Sequence, residues 1–401
     1  MLAEAPKRAR VPLPRTIRLL GWTSLFTDVG TEMIFPLLPV FLVETLHSGP
    51  AYLGLVEGAA DTVASLLKLA SGYVADATHR RKPLVLFGYG LASAVRPLVA
   101  FATHPWHVLA VRVCDRIGKG VRGTPRDALI ADAAGDRAGR AFGFHQAMDN
   151  LGAVVGPMLA TLLVASGWPV RRVFRLAIVP GIVATALVAV VREKPTTTHH
   201  DALAPRPATP RISQPLRLYL AILALFSLGN SSDAFLLLRA RSLGLSTLAI
   251  PVLWALLNLS KVVWSEIGGN WADRAPRPAI IAGGWVVYAG VYLGMAVATA
   301  EWHAWALFAV YGIFYGLTEP VEKALVRDLA REDARGAAYG AYNFVVGVTA
   351  LPAGVLMGWV WRAHGAEVAL SMGAGLAALS CVLLLAWNVW RRSAVQNVGA
   401  G

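Results

Sequence analysis

Twelve apolar segments, each close to the length of a bilayer crossing, follow one another along the 401-residue chain. A helix needs about 20 apolar residues to cross the hydrocarbon of a bilayer. Unpaired backbone amides and carbonyls cannot face lipid, so a segment that crosses the bilayer alone must be helical. The sequence therefore predicts an all-α polytopic membrane protein. The twelve predicted transmembrane helices cover residues 17–43, 51–75, 83–103, 106–124, 141–166, 172–191, 217–238, 248–271, 279–300, 302–319, 337–361 and 367–390.

Composition supports this class and excludes others. Apolar residues make up 56% of the chain and charged residues 15%, whereas a soluble domain carries about 25% charged residues. The sequence has no motif for a catalytic metal, a serine nucleophile or a Walker A phosphate loop, so we expect neither an enzyme nor an ATP-driven pump. Cys114 and Cys381 form no spaced pair, which indicates neither a disulfide nor a metal site.

Lysine and arginine gather at alternate ends of the predicted helices. The formal net charge is +13, and most of this excess lies in loops on the side of the N-terminus. Because cytoplasmic loops of membrane proteins are enriched in Lys and Arg, both termini are predicted to be cytoplasmic, in a bacterial inner membrane. The positive charge therefore indicates a lipid bilayer, and not nucleic acid, as the partner.

Residues 192–216 divide the predicted helices into two groups of six. They are rich in Pro and Thr and poor in large apolar residues, as expected of a flexible cytoplasmic linker. The halves, residues 1–191 and 217–401, repeat each other, since the similar segments GYVAD and GNWAD end at Asp76 and Asp273 in matching positions. Two similar halves around a central cavity can expose that cavity to each side of a membrane in turn.

Residues 72–82, GYVADATHRRK, resemble a signature of the major facilitator superfamily of secondary transporters, and depart from it at Ala77 and His79. A weaker copy begins at Gly269. The resemblance extends over essentially the whole chain. It implies two six-helix halves that work by alternating access, a small-molecule substrate, and no cofactor beyond the proton gradient. We expect the protein to be a monomer.

The fifth predicted helix carries a second point of resemblance. Its residues Gly152, Gly156 and Pro157 are similar to the motif of the drug-proton antiporters. Residues 26–42 and 115–132 also look like a bacterial subgroup of the superfamily, and this likeness implies no particular substrate.

The resemblance implies gating residues at the cytoplasmic ends of the helices. Asp76 and Asp273 are implied to pair with a basic group, or with a helix N-terminus, of the neighbouring half when the inner side is closed. Arg122 and Arg126 are candidate partners. Glu319 precedes a proline near the end of the tenth predicted helix and is assigned to the same gate. The full predicted gating set is Gly72, Asp76, Arg80, Arg122, Arg126, Gly156, Pro157, Asp273 and Glu319.

Carboxylates inside the predicted helices are candidates for proton coupling, since charge in a bilayer is costly and should face a cavity or a partner. Asp28 and Glu32 are four residues apart on one helix face. Two close carboxylates in a low dielectric hold protons more tightly, because both cannot easily ionise. We predict that Asp28, Glu32 or Asp61 couples transport to protons. The alternative is that these residues are structural ion-pair partners.

The fourth predicted helix is the densest in charge. A buried guanidinium stays charged, so Arg112 must meet carboxylates or an anionic substrate. We predict that Arg112 pairs with Asp28 or Glu32, so that protons compete with the ion pair. The predicted set for substrate binding or charge pairing is Arg112, Asp115, Arg116, Asp149, Asn230 and Asp233.

Three functions remain open on the sequence alone. The leading hypothesis is a transporter that exports a small molecule in exchange for protons. A rival is a proton-coupled importer of a small anionic metabolite, bound by Arg96, Arg112, Arg116 and Lys119. The third is a membrane receptor, which would bind a ligand without transporting it.

Overall fold

A computed structural model describes residues 13–78, 81–134, 138–193, 213–272, 276–330 and 335–399. Within these ranges the chain is helical apart from short connections, which confirms the all-α class. The predicted linker lies mostly outside the described residues, between residues 193 and 213.

The helices of the first half are α1 (Arg15–Glu32), α2 (Leu38–Val40), α3 (Pro50–Thr78), α4 (Arg81–Val95), α5 (Pro105–Ala134), α6 (Ala138–Ala165), α7 (Val170–Leu176) and α8 (Ile178–Val190). The helices of the second half are α9 (Gln214–Gly229), α10 (Ala234–Ser242), α11 (Ala249–Ala272), α12 (Arg277–Val297), α13 (Glu301–Leu329) and α14 (Arg335–Gly399).

Proline and glycine interrupt several helices. Pro36 and Pro39 lack amide protons, and the chain passes through irregular turns around α2 before it ends its first helical segment at Thr45. Gly365 has φ 88° and divides α14 into two helices, because this left-handed conformation favours glycine.

Among the residues that the structure describes, seven helical segments are long and apolar enough to cross a membrane. The charged helices α3 and α5 are not among them. Some of their charged side chains, including those of Glu57, Arg112 and Asp115, are buried in the protein, which a measure of hydropathy along the chain does not register. The arrangement of twelve crossings therefore stays a prediction. The seven segments are Arg15–Thr45, Arg81–Phe101, Ala141–Ala165, Val170–Val190, Gln214–Ser242, Arg277–Val297 and Ala338–Arg391.

The two halves meet along α3 and α14. Gly54 and Gly354 approach so closely that a Cβ atom on either would overlap the backbone of the other. Further along, the Thr62 hydroxyl donates a hydrogen bond of 2.7 Å to the carbonyl of Gly347. Small residues thus allow two helices to pack with their backbones in contact.

One end of the molecule is closed by contacts between the halves. There the Arg241 Nε donates a 2.6 Å hydrogen bond to Glu44. We call this the far end, and we call the opposite end, where residues 193 and 213 lie, the linker end. Gln146, two turns into α6 from the linker end, is exposed and lines a cavity between the halves.

Candidate functional site

The cavity has two compartments with different chemistry. The serine compartment, of about 340 Å³, is lined by both halves and includes Lys68, Arg116, Ser227, Asn230, Ser231 and Ser232. The carboxylate compartment includes Ser24, Asp28, Glu32, Arg122, His145 and Asp149. Lys119 lines both compartments, so a molecule bound in one is close to a cation that also faces the other.

Arg112 forms a bidentate ion pair with Glu57. Its Nε and Nη2 atoms donate hydrogen bonds of 3.1 and 2.6 Å to the two carboxylate oxygens. The predicted pairing of Arg112 with Asp28 or Glu32 is wrong for this conformation. The reason is that α5 packs against α3 on the side that carries Glu57, whereas Asp28 and Glu32 lie on α1.

Arg96 is satisfied in the same way by Asp115. The Nη2 and Nε atoms of Arg96 donate to one oxygen of Asp115 at 2.8 and 3.2 Å, and its Nη1 donates to the carbonyl of Thr27 at 3.2 Å. Both side chains are buried. A buried charge that is paired and hydrogen-bonded avoids most of the cost of desolvation, so these two residues are part of the scaffold of the site.

Arg116 is buried but donates no hydrogen bond to any residue that the structure describes. The nearest carboxylate oxygen, Asp61 Oδ1, is 3.6 Å from its Nε. The Asp61 side chain is 52% exposed. Asp61 thus faces the open cavity, and Arg116 presents its guanidinium to both compartments.

Asp28 and Asp149 lie together in the carboxylate compartment. Their side chains line the same wall and interact electrostatically, and the Ser24 hydroxyl donates a 2.6 Å hydrogen bond to Asp149. Two neighbouring carboxyl groups in a low dielectric do not readily ionise together, so one of them favours its protonated form. The pair can therefore hold a proton at the cavity wall.

Glu32 connects the two halves. The indole Nε1 of Trp254, on α11, donates a 2.5 Å hydrogen bond to its carboxylate, and the ring of Trp254 packs at 4.9 Å against Phe35. A hydrogen bond to a carboxylate weakens when the carboxylate is protonated. The protonation state of Glu32 can therefore affect the contact between the halves.

Two glycines of α6 allow these acids to approach it. A Cβ atom on Gly152 would lie 2.9 Å from the Cβ of Asp28, and one on Gly156 would lie 2.9 Å from the Cβ of Glu32. Pro157 follows directly within the same helix. Larger residues at either glycine would push α1 and its carboxylates away from α6.

In the second half, α9 and α10 are separated by a non-helical stretch, residues 230–233, beside the serine compartment. The Ser231 hydroxyl is buried and has no hydrogen-bond partner among the described residues. The Asn230 side chain lines the same wall. Interrupted helices of this kind supply free polar groups to binding sites inside membrane proteins.

Asp233 closes this stretch and is held by three side chains. Tyr311 and Tyr315 donate hydrogen bonds of 2.9 and 2.6 Å to its two oxygens, and the ammonium of Lys261 lies 3.5 Å away. The Lys261 ammonium also lies 3.6 Å from the centre of the Tyr315 ring. The charge of Asp233 is thus compensated by its neighbours.

The predicted gating residues are placed in part. The Arg122 guanidinium lies 4.2 Å from the centre of the Tyr89 ring, and Arg126 donates to Asp127 at 2.8 Å. Glu319 is exposed. Gly72 and Asp76 belong to the last two turns of α3. Arg80 and Asp273 lie outside the described residues, so their roles stay predictions.

The sequence patterns missed two contacts. One is Trp254, whose partner Glu32 is far away in the sequence and on the other half. The other is Glu322, which is buried and accepts a 2.8 Å hydrogen bond from Tyr342. The available signal for Glu322 was a second carboxylate three residues after Glu319 in the same helix.

Comparison with known proteins identifies the family. The family model described as Major Facilitator Superfamily matches residues 20–351. An uncharacterized MFS-type transporter of Methanocaldococcus jannaschii is 32% identical over 380 residues, which cover 93% of this chain and 95% of that protein.

Two further similarities are more distant. Multidrug resistance protein MdtH of Shigella dysenteriae is 24% identical over 166 residues, which cover 41% of this chain and 40% of that protein. The crystal structure of the nucleoside transporter NupG has a TM-score of 0.77 at 13% identity, with 93% of this chain and 98% of that chain covered, and it shows the fold alone. The protein is an integral membrane transporter of small molecules, not an enzyme, and the chain belongs to the major facilitator superfamily.

Proposed function

We propose that the protein exports a small molecule in exchange for protons, and that its two halves expose the central cavity to one side of the membrane and then to the other. In this proposal twelve helices cross the bacterial cytoplasmic membrane, and the linker and both termini are cytoplasmic. The chain works as a monomer, and the proton gradient drives transport without a cofactor.

The observation that carries the proposal is the proximity of two carboxyl groups, those of Asp28 and Asp149, on one wall of the cavity. Two neighbouring carboxyl groups do not readily ionise together, so one of them favours its protonated form, and the cavity beside them is large enough for a small molecule. Glu32 lines the same compartment. Carboxylates at such a place can take up and release protons as the cavity changes sides.

Coupling follows from competition for these carboxylates. A substrate that occupies the carboxylate compartment would meet the same oxygens that hold protons. When the cavity faces the cytoplasm, binding of the substrate would displace a proton from Asp28 or Glu32. When it faces outward, protonation would displace the substrate. Competition between two ligands for one site produces exchange, because the carrier moves with one or the other.

Three sets of contacts would open and close the cavity: one at the far end, one beside the cavity and one at the linker end. At the far end, the Glu44–Arg241 pair joins the halves, and the hydrogen bond from Trp254 to Glu32 joins them beside the cavity. We assign closure of the linker end to Gly72, Asp76, Arg80, Arg122, Arg126, Asp273 and Glu319. Protonation of Glu32 would weaken its bond to Trp254, which links proton binding to movement of the halves.

Similarity to drug-proton antiporters is consistent with export. Gly152 and Gly156, which precede Pro157, are the residues that bring α6 against Asp28 and Glu32. One of the distant relatives is described as a multidrug resistance protein. The glycines would therefore hold the proton-binding carboxylates of α1 close to α6.

A flux assay tests the proposal. The full chain is reconstituted in liposomes that contain a pH-sensitive dye, and amino acids, carboxylates, phosphate esters and lipophilic cations are added one class at a time. We expect one class to drive protons in the direction opposite to its own movement. Asp28→Asn and Glu32→Gln should abolish this proton movement, because the amide side chain of Asn or Gln is neither protonated nor deprotonated near neutral pH.

The matched control is Glu367→Gln, the same loss of a carboxylate at a side chain that is 76% exposed. It should transport as the wild type does. Full proton exchange in both cavity variants would rule out coupling through α1.

A second candidate function is proton-coupled import of a small anion, favoured by the buried guanidinium of Arg116 that lacks a hydrogen bond to the described residues. In that case an anion that neutralises Lys119 would favour protonation of the nearby carboxylates. Protons would then move in the same direction as the substrate, so the sign of the dye signal separates import from export.

A further inference from the structure

We propose that the serine compartment is a binding site for an oxyanion group, a carboxylate or a phosphate, carried by the transported substrate. The inference rests on the proposed function in one respect, namely that transport passes through this cavity. The substrate would carry an oxyanion group whether the protein imports it or exports it.

The first observation is the contrast among three neighbouring arginines. Arg96 and Arg112 are each bound to a carboxylate by two hydrogen bonds. Arg116 is only 8% exposed, and its five N–H donors make no hydrogen bond to the described part of the chain. Buried polar groups in native proteins are nearly always hydrogen-bonded, to protein, water or ligand. The guanidinium of Arg116 is thus free to bind something that enters the cavity.

The two carboxylates next to Arg116 do not accept hydrogen bonds from it. Asp115 is 3.8 Å from its Nη1 and is already engaged by Arg96. Asp61 is 3.6 Å from its Nε, which is beyond hydrogen-bonding distance. These acids lower the cost of burying the charge, but they leave the donors without acceptors.

Two ammonium groups extend the positive wall. Lys68 and Lys119 are exposed within the serine compartment, and neither has a carboxylate oxygen within ion-pair distance in the ranges that the structure covers. Both are on the first half, on α3 and α5. A single anion between them and Arg116 would meet three positive charges.

The opposite wall, from the second half, supplies neutral polar groups. The Ser231 hydroxyl is in a residue that is 5% exposed, and it has no partner among the described residues. The side chains of Asn230 and Ser227 line the same wall. Hydroxyl and amide groups can donate to the remaining oxygens of a carboxylate or phosphate.

The other acids of the compartment are already compensated. Glu57 is bound by Arg112, and Asp233 is bound by two tyrosines and Lys261. Asp61 is therefore the one lining carboxylate, among the described residues, that faces the three cations without a hydrogen-bonded partner. The serine compartment has an excess of positive charge and attracts an anion.

Arg116 is suited to this role by its geometry. A planar guanidinium binds a carboxylate or a phosphate through two parallel hydrogen bonds, which an ammonium cannot do. An oxyanion held by Arg116 on one side and by Ser231 on the other would contact both halves. The remainder of the substrate would extend past Lys119 toward Asp28 and Glu32, where it meets the proton site.

The test measures anion binding to the purified full chain in lipid nanodiscs. The probes are inorganic phosphate, sulfate and acetate, each compared with chloride at the same ionic strength. We expect a saturable rise in the thermal midpoint with at least one oxyanion and none with chloride, because a ligand that binds the folded state stabilises it. Phosphate and acetate separate a phosphate site from a carboxylate site.

Variants assign the site. Arg116→Gln should weaken oxyanion binding by at least about tenfold, as expected for truncation of a buried charged partner. Lys119→Gln should weaken it less, and Ser231→Ala least. Arg116→Lys keeps the charge but loses the fork, and it should bind with an intermediate affinity. The matched control is Arg217→Gln, an exposed arginine outside the cavity, which should bind as the wild type does.

In the binding assay, two results would overturn the inference: equal stabilisation by chloride and the oxyanions, or unchanged oxyanion binding in both Arg116→Gln and Lys119→Gln. If Arg116→Gln does not fold, Lys119→Gln and Arg116→Lys provide the test. Unchanged oxyanion binding in both of these variants would then overturn the inference. Failure of the proposed function looks different, since oxyanions would then bind without flux in the liposome assay. Proton-coupled flux of a cation with no oxyanion binding would contradict the inference alone.

Discussion

The two halves line one cavity with different chemistry. The first half contributes buried charges, with Arg112 and Glu57 in a bidentate pair and Arg116 beside them without such a partner. The second half contributes aromatic rings and hydroxyls. Its one buried lining acid, Asp233, is held by two tyrosines. In two halves that repeat each other in sequence, charge chemistry is thus concentrated on one side.

The second half also contains a cluster of stacked aromatic rings. Tyr288 and Tyr292 stack at 4.1 Å, and Phe226 stacks on Trp285 at 4.4 Å. All four residues are buried. These rings pack behind the residues of the second half that line the cavity, since the Tyr288 hydroxyl donates a 2.8 Å hydrogen bond to the carbonyl of Gly229. From this comparison we expect that removal of one side chain of an ion pair or hydrogen bond lowers the stability of the protein most in the first half. The loss should be smaller in the second half and smallest at the far end.

The largest effect is expected from Glu57→Gln, which leaves the buried charge of Arg112 without its carboxylate. Removing one partner of a buried ion pair costs about 3–5 kcal/mol of stability. We expect a large fall in the thermal midpoint of the purified protein, measured by intrinsic fluorescence. The double variant Glu57→Gln, Arg112→Met should recover most of it.

The matched comparison for this prediction is Asp61→Asn, which removes a carboxylate that is 52% exposed and one turn further along α3. It should lower the thermal midpoint much less. An equal fall in the two single variants would contradict the view that the Arg112–Glu57 pair is part of the scaffold.

An intermediate effect is expected from Tyr315→Phe, which removes the 2.6 Å hydrogen bond to Asp233. Hydrogen bonds to charged groups contribute about 1.5–3 kcal/mol, and Tyr311 and Lys261 remain to compensate Asp233. The control is Tyr339→Phe, the same substitution at an exposed hydroxyl that donates to the carbonyl of Lys323. A thermal midpoint as low as that of Glu57→Gln would show that the second half is no more tolerant than the first.

The smallest effect on stability is expected from Arg241→Gln at the far end. The Glu44–Arg241 pair is partly exposed, and exposed ion pairs contribute about 0.2–1 kcal/mol. The variant should nevertheless open the far end more often. Spin labels at the exposed positions Thr45 and Ser242 should report a larger population of long distances, and Glu44→Gln should match it. Distances unchanged from the wild type would mean that the pair does not hold this end closed.

Parts of the site could be predicted from the sequence. The acids of α1 and the basic residues of α5 stand out because charge within an apolar segment is rare. Their partners could not be predicted. Arg112 has carboxylates within reach on several helices, and its pairing with Glu57 depends on which face of α5 packs against α3. The break at residues 230–233 carries no proline, and its four polar residues, Asn-Ser-Ser-Asp, indicate a cavity wall but not the end of a helix.

Hydropathy and charge patterns were sufficient to predict an all-helical membrane protein, because the bilayer leaves so few solutions for the backbone. They also identified the ionisable residues that need an explanation. Which charges neutralise one another, and which remain open to a ligand, depends on helix rotation and on distances between residues far apart in sequence. Arg96, Arg112 and Arg116 are alike as sequence, and three-dimensional packing alone leaves one of them without a hydrogen-bonded partner in the described chain.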